Sequence, residues 1–185
     1  MNIFIVDESP IESAKYLHDA HVVKMILESA QMLSTAHRIL DGKKVVSYLS
    51  GRKKTIWELS GSSETVLYKV SHFNHPCNLW VRESSSNYQW LLNHFEALLN
   101  EYTFRYERIH KSSQLLDCLR ILPVNILQAE LTTSVLAMPE KYKSDNPVNS
   151  YREYYNFEKL FPRNKPASWK NREIPYWIEK NRLFS

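Results

Sequence analysis

His21, Lys24, Glu28, Gln31, Thr35 and Arg38 recur at three-, four- and seven-residue steps within YLHDAHVVKMILESAQMLSTAHR. At about 100° per residue, a helix gathers all six within about 100° of arc. These spacings bring side chains within reach of one another. The set holds an imidazole, an ammonium, a carboxylate and an amide. Together they supply a general acid or base, an orienting cation and hydrogen-bonding groups. A water-facing line is usually Lys and Glu repeated, and a Lys24–Glu28 pair on such a line is worth little. The mixed composition favours a cleft wall. Glu28, His21 and Lys24 are then the candidate catalytic residues, and Gln31 and Thr35 candidate substrate contacts.

The element that must carry this line is a helix from 19 to about 40. Val22, Val23, Met25, Ile26, Leu27, Ala30, Met32, Leu33 and Ala36 fill most of its remaining arc, which predicts burial on several sides. NIFIV before it reads as a short buried strand or extended segment. In DESPIES, Ser9 caps a short helix and Pro10 takes its first position. DG at 41–42 predicts a left-handed exit at Gly42. Residues 43–57 are irregular and basic, a loop or a small hairpin turning at SG. Further helices are expected from about 62 to 70, from Pro76, from the serine run at 84–86 to about 109, and over SSQLLDCLRIL. A long loop follows at 122–146. Another helix opens on Asn146 and Pro147. The tail, about 162–185, wraps the surface before a last short helix. The expected fold is mainly α: a compact bundle around one long central helix, with a short N-terminal extended segment, all 185 residues forming a single domain.

Only 3 glycines argue against a turn-rich β-sandwich or a Gly-cradled nucleotide fold, and 43% hydrophobic residues argue against a disordered chain. With 2 cysteines there is no disulfide scaffold, and no apolar run reaches the length of a membrane span. The expected setting is the cytoplasm, the host's if the chain is phage-encoded, with no membrane partner. The net charge of +4 and 12% aromatic content suit nucleic acid.

Other residues are candidates for contact rather than chemistry. HFNHPCNLW holds His72, His75 and Cys77, but zinc needs a fourth ligand and no second cluster stands out. A packed, reduced Cys77 and a helix-entry His75 read better, and no metal is assigned. His75 is kept as a candidate substrate contact. In WVRESSSNYQW, Trp80, Tyr88 and Trp90 read as core. For Arg82 and Asn87, substrate contact and internal pairing are both open. Lys43, Lys44, Arg52, Lys53 and Lys54 form one basic run. Lys170 and Arg172 lie in a second, where Trp169, Tyr176 and Trp177 are interleaved. Basic loops with exposed aromatics suit a phosphate backbone and an unstacked base. No cofactor-binding loop is visible.

Two resemblances add to this. The opening block, with NHPCNLWVRESSSNYQWLL, EYTFRYERIHK, AMPEKYK and YREYY, resembles a family of small proteins of tailed phages over nearly the whole chain. Asp19, His21, Val22 and Glu28 also match, in order and spacing, the D-x-H-[LV] motif and following glutamate of pyrimidine-dimer DNA glycosylases of the endonuclease V type. That likeness implies a small all-helical protein, Glu28 as the catalytic carboxylate and His21 as the pocket histidine. The nucleophile it implies is the α-amine exposed when the initiator Met leaves a small second residue. Here residue 2 is Asn2, which does not favour Met removal, so the Met1 amine or Lys24 is the alternative. The expected function is a DNA-acting enzyme that excises a base at a flipped-out pyrimidine nucleotide. The alternatives are a phage transferase acting on hydroxymethylated pyrimidines and a non-catalytic module that binds nucleic acid or a host protein.

Overall fold

The computed structural model describes residues 1–49 and 52–183, and the chain is mainly α. Residues 2–6 form neither helix nor strand; Phe4 is left-handed (φ 56°), and Ile3, Phe4, Ile5 and Val6 are all buried. The segment pairs with no strand among the described residues; Ser13 holds it instead, its hydroxyl donating to the Phe4 carbonyl (3.1 Å) and accepting from the Val6 N–H (3.2 Å). Helix α1, Pro10–Tyr16, starts where Ser9 accepts the Glu12 N–H. Helix α2, Asp19–Asp41, is the long central one and packs against α1's neighbour α5, Ser85–Tyr106. Its apolar face, including Met25, Ile26, Met32 and Leu33, is sealed in the core.

The start of α2 is fixed by polar groups. His18 caps it, Nδ1 accepting the His21 N–H. The Asp19 carboxylate accepts from the Ser168 hydroxyl (2.7 Å), the Lys170 N–H (3.0 Å) and Arg105 (3.1 Å). Arg105 also holds Glu101, and Glu101 takes a two-pronged bond from Arg172. This buried chain of charges ties the tail to the central helix.

At the other end stands Arg38, fully buried. All five of its N–H donors have acceptors: the carbonyls of Trp57, Glu64, Leu67 and Tyr68, and Glu64 Oε2 at 2.6 Å. This explains two departures from expectation. The helix expected over 62–70 is only α3, Ser63–Val66, because the guanidinium takes the carbonyls that a continuing helix would use. Gly42 is not left-handed (φ −80°, ψ 146°). The chain passes straight into a strand there, and a side chain would collide with the Arg38 carbonyl.

That strand, β1 (Lys43–Leu49), pairs antiparallel with β2 (Arg52–Glu58), so the basic run is a hairpin; its expected SG turn lies outside the described residues. Helix α4 is Pro76–Val81, with His75 as cap. Helix α5 ends at Tyr106 rather than near 109, where Glu107 turns left-handed (φ 54°). The next predicted helix divides into a 3-10 turn, Lys111–Leu115, and α6, Leu116–Leu119. A long strap then crosses to α7, Pro147–Glu158, which Asn146 caps; α8 is Lys180–Leu183. Among the described residues, no helix is long and apolar enough to cross a membrane.

Replacing Arg38 by Met should destabilise the fold by about 3–5 kcal/mol in chemical denaturation, because a carboxylate and four carbonyls lose their donor together. A pH effect also follows from His18, His37 and His94, which are buried and held by that burial at about 4, below the ordinary 6.5. The unfolded chain binds these protons first, so stability is full above 6.5. It is lost as pH falls toward about 4, by up to about 1.4 kcal/mol per pH unit for each histidine. Denaturation midpoints measured across that window test this.

Candidate active site

The polar line of α2 divides in two. His21, Lys24, Glu28 and Gln31 line one cleft of about 870 Å³. Thr35 and Arg38 do not reach it. Thr35 is fully buried and clamps residue 71, its hydroxyl accepting the Ser71 N–H at 3.2 Å. Val23 and Leu27, 38% and 43% exposed, belong to the cleft rather than to the core, and give it an apolar floor. The opposite wall comes from distant chain: His110, Glu158, Lys159, Pro162 and Arg163. Lys24, Lys159 and Arg163 make the rim basic.

Glu28 sits in a corner built by the N-terminal segment. Its Oε2 accepts the Asn2 N–H at 3.0 Å and lies 3.8 Å from the α-ammonium of Met1. Its Oε1 is 3.5 Å from Lys24 Nζ. The Met1 side chain is packed in, with Sδ 3.1 Å from Asn78 Nδ2. Asn2 is anchored more firmly: its amide donates to the Ala137 carbonyl (2.8 Å), and its Oδ1 accepts the Ile3 N–H (2.8 Å). A carboxylate is thus held between two nitrogen cations, the α-ammonium of Met1 and the exposed ammonium of Lys24. That arrangement can accept a proton from an attacking amine and stabilise positive charge developing beside it.

His21 is stacked between Phe4 (ring centroids 4.5 Å apart) and His18 (4.1 Å), and its Nδ1 meets the Tyr155 hydroxyl at 3.0 Å. Burial, then the charges of His18, Lys24 and Lys159, hold its pKa well below the usual range. His21 is therefore neutral at ordinary pH, a hydrogen-bonding group rather than a charged acid.

The remaining candidates lie elsewhere. His75 borders the N-terminal corner: its Nδ1 accepts the Cys77 N–H, and burial followed by the α-ammonium lowers its pKa. Arg82 is half-buried and donates to the Asn78 carbonyl (3.1 Å). Asn87 is fully buried, bonded to Trp80 and Thr132. Both thus have internal partners. Lys43, Lys44 and Lys53 are exposed on the hairpin, while the side chains of Arg52 and Lys54 lie outside the described residues. Lys170 is exposed over the Tyr106 ring, whereas Arg172 is engaged by Glu101 and stacked on Phe104 at 4.1 Å. Trp169, expected as an exposed tail aromatic, is buried; Tyr176 is 76% exposed. Trp80, Tyr88 and Trp90 are core, as their sequence context suggested. Cys77 is buried, which pushes its thiol up to about 12 and leaves it inert as a nucleophile. Among the described residues, no three His, Cys, Asp or Glu groups are placed to hold one metal ion.

The sequence reading did not single out His110, Glu158, Lys159, Pro162 or Arg163 as cleft residues. No periodicity connects them to α2; only the tertiary fold does.

Residues 1–115 match the sequence model of the pyrimidine dimer DNA glycosylases. The chain belongs to that family. The match takes in the N-terminal corner, all of α2 and α5, but stops short of α7 and of the rim cations Lys159 and Arg163. No curated protein and no solved structure matches the chain.

Within the matched motif, Asp19 and Glu28 have separable duties. Asp19→Ala should lower stability by about 1–3 kcal/mol, since the Ser168 hydroxyl, the Lys170 N–H and one N–H of the buried Arg105 lose their acceptor. It should also speed amide hydrogen exchange at 168–170. Glu28→Gln should leave exchange there unchanged.

Proposed function

We propose that this protein is a DNA glycosylase that removes a damaged pyrimidine turned out of the helix into the cleft of α2. The observation that carries the reading is the placement of Glu28, in a DNA glycosylase family, against the α-amine at the mouth of a nucleotide-sized cleft. The apolar floor of Val23 and Leu27 suits a base, and the rim of Lys24, Lys159 and Arg163 suits the flanking phosphates. Lys43, Lys44 and Lys53 on the hairpin, with Lys170, extend the phosphate contacts along the duplex. Arg172, held by Glu101, contributes little.

In the proposed reaction a neutral amine attacks C1′ of the damaged nucleotide. The C1′–N bond to the amine forms and the glycosidic bond breaks, the base leaving with its electron pair and taking up the proton that Glu28 has received from the amine. Glu28 receives the amine's proton and stabilises the charge that develops at the sugar. The α-amine is preferred to Lys24 because the packed Met1 side chain and the anchored Asn2 hold it in place beside the carboxylate, whereas Lys24 is 61% exposed on a long, free stem. Loss of Met1 would leave the amine on Asn2, whose nitrogen is already 3.0 Å from Glu28. The carboxylate suits either terminus. His21 positions the nucleotide, and Gln31 offers it an amide.

Nucleoside mass analysis of normal, ultraviolet-damaged and hydroxymethylated DNA after incubation tests this. A pyrimidine lost, and retained with Glu28→Gln at a rate lower by about 10²-fold or more, is the expected result. A mass gained would mean base modification instead, and salt-sensitive binding without change would mean a binding module. Borohydride should trap a covalent adduct with DNA. Trapping should survive Lys24→Ala and fail in a chain extended at its N-terminus; the reverse pattern would make Lys24 the nucleophile.

A further inference from the structure

Tyr155 of α7 is fully buried and lies outside the family match, yet its hydroxyl reaches the first turn of α2. It accepts the His18 backbone N–H at 3.0 Å and stands 3.0 Å from His21 Nδ1. A phenol has one proton to give. Among the described residues, no other hydrogen-bond acceptor is recorded for it. If His21 Nδ1 carried a proton, that proton would point at the hydroxyl, and the hydroxyl's own proton would be buried without an acceptor. Such a loss is costly in a sealed site. The arrangement that satisfies every group runs one way: His18 N–H to Tyr155 Oη, and Tyr155 O–H to His21 Nδ1. A neutral imidazole that accepts at Nδ1 must carry its proton on Nε2.

We propose that Tyr155 is a positioning residue that locks His21 in the Nε2–H tautomer, as a neutral hydrogen-bond donor for an acceptor oxygen of the bound nucleotide. The donor role rests on the cleft being the substrate site; the tautomer does not. Ring rotation is blocked on both faces, by Phe4 and by His18. The titratable groups around the ring are His18 on the same helix and Lys24 and Lys159 on the cleft walls, and all three oppose a second proton on it. An acceptor oxygen, of a pyrimidine carbonyl or a phosphoryl group, is the partner such a donor selects. A ligand that offers only a donor at that point is disfavoured, because two N–H groups would face each other.

The test reads the tautomer directly. Histidine-selective ¹⁵N NMR at neutral pH should place His21 Nδ1 among unprotonated ring nitrogens and Nε2 among protonated ones. In Tyr155→Phe the two should move toward a mixture. A protonated Nδ1 in the wild type, or an unchanged tautomer in Tyr155→Phe, overturns the proposal. On damaged DNA, Tyr155→Phe should lower kcat by about tenfold, the size of one lost hydrogen bond, with KM little changed. It should cost nothing further in a His21→Ala background; an equal loss there would show a merely structural role and also overturn the proposal. If the wild type excises no base, the glycosylase reading fails, and the NMR arms still decide the tautomer.

Discussion

The anchoring of Asn2 is the constraint on which the site depends. A chain terminus is ordinarily the most mobile part of a protein. Here the side chain of residue 2 is buried and bonded to the strap at Ala137, to the adjoining backbone at Ile3, and to the Tyr151 hydroxyl of α7 at 3.0 Å. Its backbone N–H then meets Glu28. Two regions far away in sequence, the strap and α7, thus fix one carboxamide, and that carboxamide fixes where the terminal amine lies. Burial of Ile3, Phe4, Ile5 and Val6 supplies the free energy that keeps the segment in place.

The central helix, its polar residues and the N-caps of its neighbours were legible in the sequence because their causes are local. Ser9, Pro10, Ser84 and Asn146 all act where their types predict. The motif of Asp19, His21 and Glu28 was legible for the same reason. What escaped was tertiary. Thr35 and Arg38 lie on the same helical line as Glu28, and a wheel cannot tell that the line passes from an open cleft into a sealed region. Gly42 looked like a left-handed cap because nothing local shows Arg38 drawing Trp57 in beside it. Tyr155 and His21 are 134 residues apart, and no spacing rule spans that distance.

The boundary of the family match divides the cleft along its length. The matched part supplies the carboxylate, the imidazole and the terminal amine. The unmatched part supplies the opposite wall apart from His110, two of the rim cations, and the hydroxyl that meets His21. The two walls of the cleft are therefore built largely by different stretches of chain. The Asp19 carboxylate joins the matched part to the tail, and the hydroxyls of Tyr151 and Tyr155 join it to α7.

Arg38 has a bearing on the order in which this chain can organise itself. The segment from Trp57 to Tyr68 has little apolar material of its own, and Leu67 is its one fully sequestered large side chain. Its turns exist because a guanidinium collects their carbonyls. That guanidinium is presented by the last turns of α2, only 19 to 30 residues away along the chain. Closing loops of that length carries a modest entropic penalty. Once the long helix has formed, its end acts as a template, and the hairpin base and α3 assemble on it as one unit.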